Sequence, residues 1–241
     1  MYGSLSPTNE NTLRSRSFIF LALAVYIACH NKTNPAAPVL IPENGFIALN
    51  PPLTDARLGS YSTRTAHPFF LSKVQEVLAA LGIGTTITNP LLEKTKGEVL
   101  ASSANRELLL SLVPETVSCA HPHRRQGWNR KNASHCGYCV PCIFRRAALH
   151  KVGLEEVYGI DAFGDELPLD ADIAADLRAV LSFVSDVQTG AIVPERLVTH
   201  LPLPIDRQPV FAHLIRAEAE EVAQLLRDKA HTKIKRWSGI A

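Results

Sequence analysis

The sequence predicts an α/β fold up to about Gly153 and a helical extension beyond it. Three observations carry this. Before Gly153, short apolar runs bounded by Pro, Asn and Gly alternate with stretches of helical period, the pattern of a layered α/β domain. After it, only amphipathic helical patterns follow. A chain of 241 residues is also long enough to bury a sizeable core. The expected organisation is one domain over residues 10–153 and an appended helical region over residues 154–241.

Each element has a local reason. "SPTNENT" is a polar lead-in whose Asn11 or Thr12 suits a helix N-cap. The following "RSRSFIFLALAVYIAC" is apolar on all faces and is expected to be a buried core helix. Its apolar run, Phe18 to Ala28, is too short to span a bilayer. A signal segment has this length too, but Tyr26 stands where a lipobox wants Leu or Val, and export would put clustered thiols in an oxidising space. "NKTNPAAP" ends the helix and "VLIP" reads as a short buried strand. Residues 43–68 lack any period and are dense in Gly, Pro, Asn, Ser and Thr, so a long loop of the functional kind is expected. "FFLSKVQEVLAALGI" has helical spacing at Phe70, Val74, Val77, Leu78 and Leu81, and "TTITNP" is a strand with its exit. "KTKGEVLASSANRELLLSLV" reads as one or two helices, opened by a capping box of Thr95 and Glu98. "VPCIFRRAALHKVG" is a helix ended by Gly153. In the extension, Ile173, Leu177, Val180, Leu181 and Val184 form one stripe, with Gly190 past its end. A second helix, capped by Asp206, turns Phe211, Leu214, Ile215, Val222, Leu225 and Leu226 inward and carries Lys229, Lys233, Lys235 and Arg236 at its basic end.

Composition excludes several classes. The chain is 46% apolar and 20% charged with a net charge of +2, so no global basic field argues for nucleic acid, and neither nucleic acid nor a membrane is an expected partner. Four of the five cysteines fall between Cys119 and Cys142, which does not resemble a secreted disulfide framework. A reduced, cytoplasmic setting and a metal fit better.

Cys119, Cys136, Cys139 and Cys142 have the spacing C-x16-C-x2-C-x2-C. A thiolate quartet of this kind suits tetrahedral zinc, which tolerates one long loop between ligands. Gly137 lets "CGYC" turn tightly enough for backbone N–H groups to face the sulfurs, and Cys142 lies at the start of a helix, whose dipole favours an anionic ligand. An iron–sulfur cluster uses similar spacings, a redox pair would leave two cysteines unexplained, and His121, His123 or His135 could replace one sulfur. The closed four-sulfur zinc site is the expectation, with the ion structural and not catalytic.

The surroundings of these cysteines add a resemblance. "TVSCAHP" followed by "HCGYCVPCIFRRAALHKVGL" is similar to the zinc-binding end of the 7-cyano-7-deazaguanine synthase (QueC) family, where a Thr-x-Ser-Cys segment precedes a C-G-x-C-x-x-C cluster and an Arg-Arg-Ala-Ala helix. "NPLLEKTKGEVL" resembles the family's Pro-Leu…Thr-Lys-x-Glu segment, and "RSRSFIFLALAVYIA" its Arg-plus-apolar helix. "IPENGFIALNPPLTDARLGSYSTRTAHPFF" is most similar to the QueC-like branch of anti-phage operons, the QatC type. The resemblance implies a Rossmann-like HUP fold of the PP-loop ATP pyrophosphatases. It implies an ATP-dependent carbon–nitrogen ligase that activates the carboxylate of 7-carboxy-7-deazaguanine and passes it to ammonia or another amine. It further implies Zn2+ and ATP with Mg2+ as cofactors, a 7-deazapurine as the small-molecule partner, and a protein partner in a defence operon.

By the same resemblance Glu43, Asn44, Ser62, Thr63, Arg64 and Thr65 would meet substrate, and Arg14, Arg16 and Lys96 the nucleotide. Arginine grips oxyanions bidentately, and a strand end followed by Glu43 is where α/β sheets hold ligands. One departure stands out: the family's Ser-Gly-Gly-x-Asp-Ser phosphate loop is not found, so the chain is expected to be the C-terminal portion of such a protein. The competing expectation is a non-catalytic, zinc-stabilised module that contacts protein or nucleic acid.

Overall fold

The computed structural model describes residues 16–34, 37–54, 65–121, 132–164, 167–199 and 201–240, with the side chains of Arg16 and Thr199 outside that description. The elements in chain order are α1 (Arg16–Cys29), β1 (Val39–Leu40), α2 (Gly45–Leu49), α3 (Pro68–Ala80), β2 (Ile87–Thr88), α4 (Lys96–Ala101), α5 (Arg106–Leu112), α6 (Val140–Lys151), α7 (Ala175–Thr189), α8 (Pro194–Thr199), α9 (Gln208–Lys229) and α10 (Thr232–Ser238). The described chain is thus mostly helical. Of the expected α/β sheet it holds one parallel pair, β1 beside β2, in register Val39 to Ile87 and Leu40 to Thr88. No helix among the described residues is long and apolar enough to cross a membrane.

The chain forms two compact units: Met1–Pro42 with Tyr61–Pro90, and Glu43–Ser60 with Leu91–Ala241. In the first, α3 starts at Pro68, which suits a first turn, and the His67 ring accepts the Phe69 N–H at 3.2 Å as the cap. Its Gln75 amide reaches the outer side of β2: it donates to the Thr85 carbonyl at 3.0 Å and accepts the Ile87 N–H at 2.9 Å. Only Leu21, Val25 and Ala28 of α1 are buried, while Phe20 and Ile27 are 62% and 68% exposed and Phe18, Ile19, Leu23 and Tyr26 are exposed with them. This corrects the expected all-round burial. A uniformly apolar sequence marks no inward face, and the core of this unit, built from α1, Ala66 and the Leu71 and Leu78 side chains of α3, covers one stripe only.

The second unit holds the large core, and α9 runs through it beside α2, α6, α7, α8 and α10. Phe211, Leu214, Ile215, Val222, Leu225 and Leu226 of α9, and Leu177, Val180, Leu181 and Val184 of α7, are all buried as the helical period predicts. Ile173 is not; it precedes α7 in a 3-10 turn and stays partly exposed. Asp206 also lies in a 3-10 turn, so Arg207 and not Asp206 takes the cap position of α9. That helix ends at Lys229, and the Lys233–Arg236 cluster belongs to the separate α10, which His231 caps. The long expected loop contains the short α2: Asn44 Oδ1 accepts the Ile47 N–H at 3.2 Å. A side chain at Gly45 would meet the Leu92 carbonyl oxygen at 1.9 Å, so the close approach of α2 requires glycine there.

Candidate metal centre

The four expected cysteines converge. Their sulfurs lie within 4.8 Å of one another and all four residues are buried. Cys139 is the N-cap of α6, with Pro141 in the first turn, so Cys142 faces the same point from inside that turn. Gly137 has φ 90°, and a Cβ there would lie 2.3 Å from the Ile160 carbonyl oxygen, which fixes the turn between Cys136 and Cys139 as glycine's. Cys119 arrives from the segment after α5, and the residues between it and Cys136 lie mainly outside the described part.

The donor set fits a tetrahedral thiophilic ion. Cys136 and Cys142 sulfurs are 3.7 Å apart, and a tetrahedron with zinc–sulfur bonds of about 2.3 Å has edges of about 3.8 Å. Backbone N–H groups face the sulfurs, from Cys139 to Cys136 at 3.3 Å, from His121 to Cys119 at 3.4 Å and from Ala120 to Cys139 at 3.5 Å. Cys139 accepts from the thiols of Cys136 and Cys142 and is held down to about 2. The Cys136 thiol, engaged with Cys139, is pushed up to about 12, and Cys142 is pushed up by the same contacts and by burial. Thiolates this close repel one another, and a divalent cation among them favours the ionised form of all four. The quartet can hold a metal ion such as zinc.

Histidine takes a supporting part. His135 Nε2 accepts the Ser118 N–H at 3.1 Å, beside the first cysteine, and its Nδ1 lies 3.9 Å from Glu156. The His121 ring stacks on Tyr138 with centroids 5.6 Å apart, and His123 lies outside the described residues. The sequence reading missed Arg145. This buried arginine of α6 holds Glu156 with both Nε and Nη2, donates to Thr116 Oγ1 at 2.7 Å, and donates to the Val113 carbonyl at 2.7 Å. It ties the strand of chain entering Cys119 to the strand leaving α6. Its neighbour Arg146 pairs with Asp161 at 2.8 Å and lies over the Phe163 ring at 4.5 Å.

The other expected site residues are more scattered. Thr95 and Glu98 form the expected capping box, and Lys96 opens α4. Behind them α9 presents two buried carboxylates: Glu221 takes Thr95 Oγ1, the Gly97 N–H at 3.1 Å and Lys151 Nζ at 2.7 Å, while Glu218 faces the Lys96 N–H at 3.4 Å. Burial pushes Glu218 up to about 8, with Glu221 adding to it. Burial likewise lowers Lys96, against the pull of Glu218, and raises Glu43, which Lys96 opposes. Asn44 serves as the α2 cap, and Thr65, in the other unit, donates to Ser17 Oγ at 2.8 Å. Arg14, Ser62, Thr63 and Arg64, and the side chain of Arg16, lie outside the described residues.

With this geometry in hand, the comparison with protein families is direct. Residues 65–153 match the family described as "Queuosine biosynthesis protein QueC". The QueC match runs from the start of α3 through the end of α6 and takes in all four cysteines. The match likens this stretch, which is less than half of the chain, to that family. No curated protein and no solved structure matches the chain.

Proposed function

We propose that this chain is a QueC-like, ATP-dependent ligase in which a structural zinc on Cys119, Cys136, Cys139 and Cys142 anchors a HUP-type nucleotide-binding fold. One observation carries the reading: the QueC match and the four converging sulfurs fall on the same stretch. The bound ion supplies a rigid cross-link and no chemistry, because four protein sulfurs leave no open position for substrate. The chain's own groups do the rest. Glu43 and Asn44, at the start of α2, are the groups we assign to the acid whose carboxylate ATP activates, 7-carboxy-7-deazaguanine. The amine is ammonia or a group on a partner protein, as in the anti-phage branch.

The test is AMP release from ATP, with 7-carboxy-7-deazaguanine and ammonia, by zinc-loaded chain carrying any coding sequence found upstream of Met1. Acid-dependent AMP supports the ligase. A folded, zinc-loaded protein that releases none is a zinc-stabilised binding module instead.

A further inference from the structure

We infer that Glu156 is the positioning residue that holds Cys119 against the other three sulfurs, and that it thereby sets how fast a bound ion can leave. Three of the ligands need no such help. Cys136, Cys139 and Cys142 share one tight turn and the first turn of α6, so their spacing is fixed locally. Cys119 is separated from Cys136 by sixteen residues, and a connection of that length fixes no sulfur position on its own. What holds Cys119 in place must come from the residues just before it.

Those residues are tied at two points, and both ties lead to one carboxylate. Thr116 Oγ1 accepts from Arg145 Nη1 at 2.7 Å, and the Ser118 N–H donates to His135 Nε2 at 3.1 Å. Arg145 lies one turn after Cys142 on α6 and grips Glu156 through Nη2 and through Nε, the latter at 2.7 Å. His135 precedes Cys136, and its Nδ1 lies 3.9 Å from the same carboxylate. Because Nε2 accepts, the ring's proton sits on Nδ1, whose positive end meets Glu156. Tyr158 Oη donates to that carboxylate at 3.3 Å.

The chain just past Glu156 is itself fastened to the cysteine turn. The Gly159 N–H donates to the His135 carbonyl at 2.8 Å and the Ile160 N–H to the Cys136 carbonyl at 3.0 Å. Glu156 thus stands where the approach to Cys119, the Cys136 turn and α6 meet. Its side chain is only 15% exposed, so water cannot readily replace these bonds. Glutamine in its place keeps the shape but removes the charge that orients Arg145 and His135. Cys119 then becomes the ligand that opens first, and an opened position is where a chelator enters. The inference rests on the zinc part of the proposed function and not on its ligase chemistry.

Zinc release from the full, zinc-loaded chain to an excess of colorimetric chelator tests it. Glu156→Gln is expected to release zinc about tenfold faster, the scale of losing a group that orients a ligand. Thr116→Val, a milder cut of one tie, should release it about threefold faster. In a Cys119→Ser background Glu156→Gln should add nothing, because the ligand it positions is gone. Cobalt loaded in place of zinc should give a four-sulfur tetrahedral spectrum in the unmodified chain and a weakened one in Glu156→Gln. Release at the unmodified rate from either zinc-loaded variant, Glu156→Gln or Thr116→Val, overturns this inference alone. So does equal acceleration by Glu156→Gln with and without Cys119, which would make Glu156 a general brace of the fold. An unmodified chain that holds no zinc overturns it together with the zinc reading.

Discussion

The two compact units treat apolar and polar side chains in opposite ways. In the Glu43–Ser60 and Leu91–Ala241 unit, four cysteines, Arg145, Glu218 and Glu221 are buried and joined to named partners inside a large core. In the Met1–Pro42 and Tyr61–Pro90 unit, the buried set is small, and a groove of about 610 Å3 between α1 and α3 is lined almost wholly by carbon. One unit concentrates cost in a few polar knots whose loss leaves buried charge or bare thiolates. The other concentrates apolar surface that the unit itself does not cover. Single substitutions should therefore act very differently in the two.

The largest effect is expected at the sulfurs. Cys139→Ser, or prolonged chelation, removes the cross-link on which α6 and the segment before it converge, and should cost on the order of 5 kcal/mol or more. Metal analysis should give one zinc per untreated chain, and circular dichroism melts should lose cooperativity after chelation. A chain that melts identically with and without chelator would remove the metal from the account. Next comes Arg145→Met, which strands Glu156 in a largely buried place and should cost about 3–5 kcal/mol by urea denaturation.

Glu218 gives a smaller, pH-dependent effect. Its folded value of about 8 lies above its unfolded 4.5, so its contribution is fully present below 4.5 and is lost as pH rises through about 8. The stability of the unmodified chain, read by urea denaturation, should fall across that window, and Glu218→Gln should flatten the profile. A fall that persists in the variant would place the titration elsewhere. The smallest effect is expected in the other unit: Leu23→Gln, on the exposed face of α1, should change stability by less than about 0.5 kcal/mol. A drop of several kcal/mol would mean that this face is covered in solution.

Legibility in the sequence follows the range of each interaction. The cysteine quartet was readable because three ligands share one turn and the next helix, and the α9 stripe because burial repeats every three to four residues. The Thr95–Glu98 box was readable for the same local reason, but its engagement by Glu221, more than a hundred residues away, was not. Nor was the staple by Arg145, which depends on Val113, Thr116 and Glu156 arriving together. The face of α1 was misjudged because hydropathy records what a residue prefers and not whether anything is there to meet it. The break between α9 and α10 at Ala230 carries neither Gly nor Pro, so nothing local announced it.

Gln75 has a consequence for how the molecule keeps to itself. By answering the outward groups of Thr85 and Ile87 as a neighbouring strand would, it denies foreign chains a template for growth along β2. On the opposite strand, Pro38 and Pro42 flank Val39–Ile41 and offer no amide hydrogen to recruit one. A ribbon so short, sealed by an amide on one margin and by imino acids on the other, is a poor seed for fibrils despite the greasy helix in its own unit.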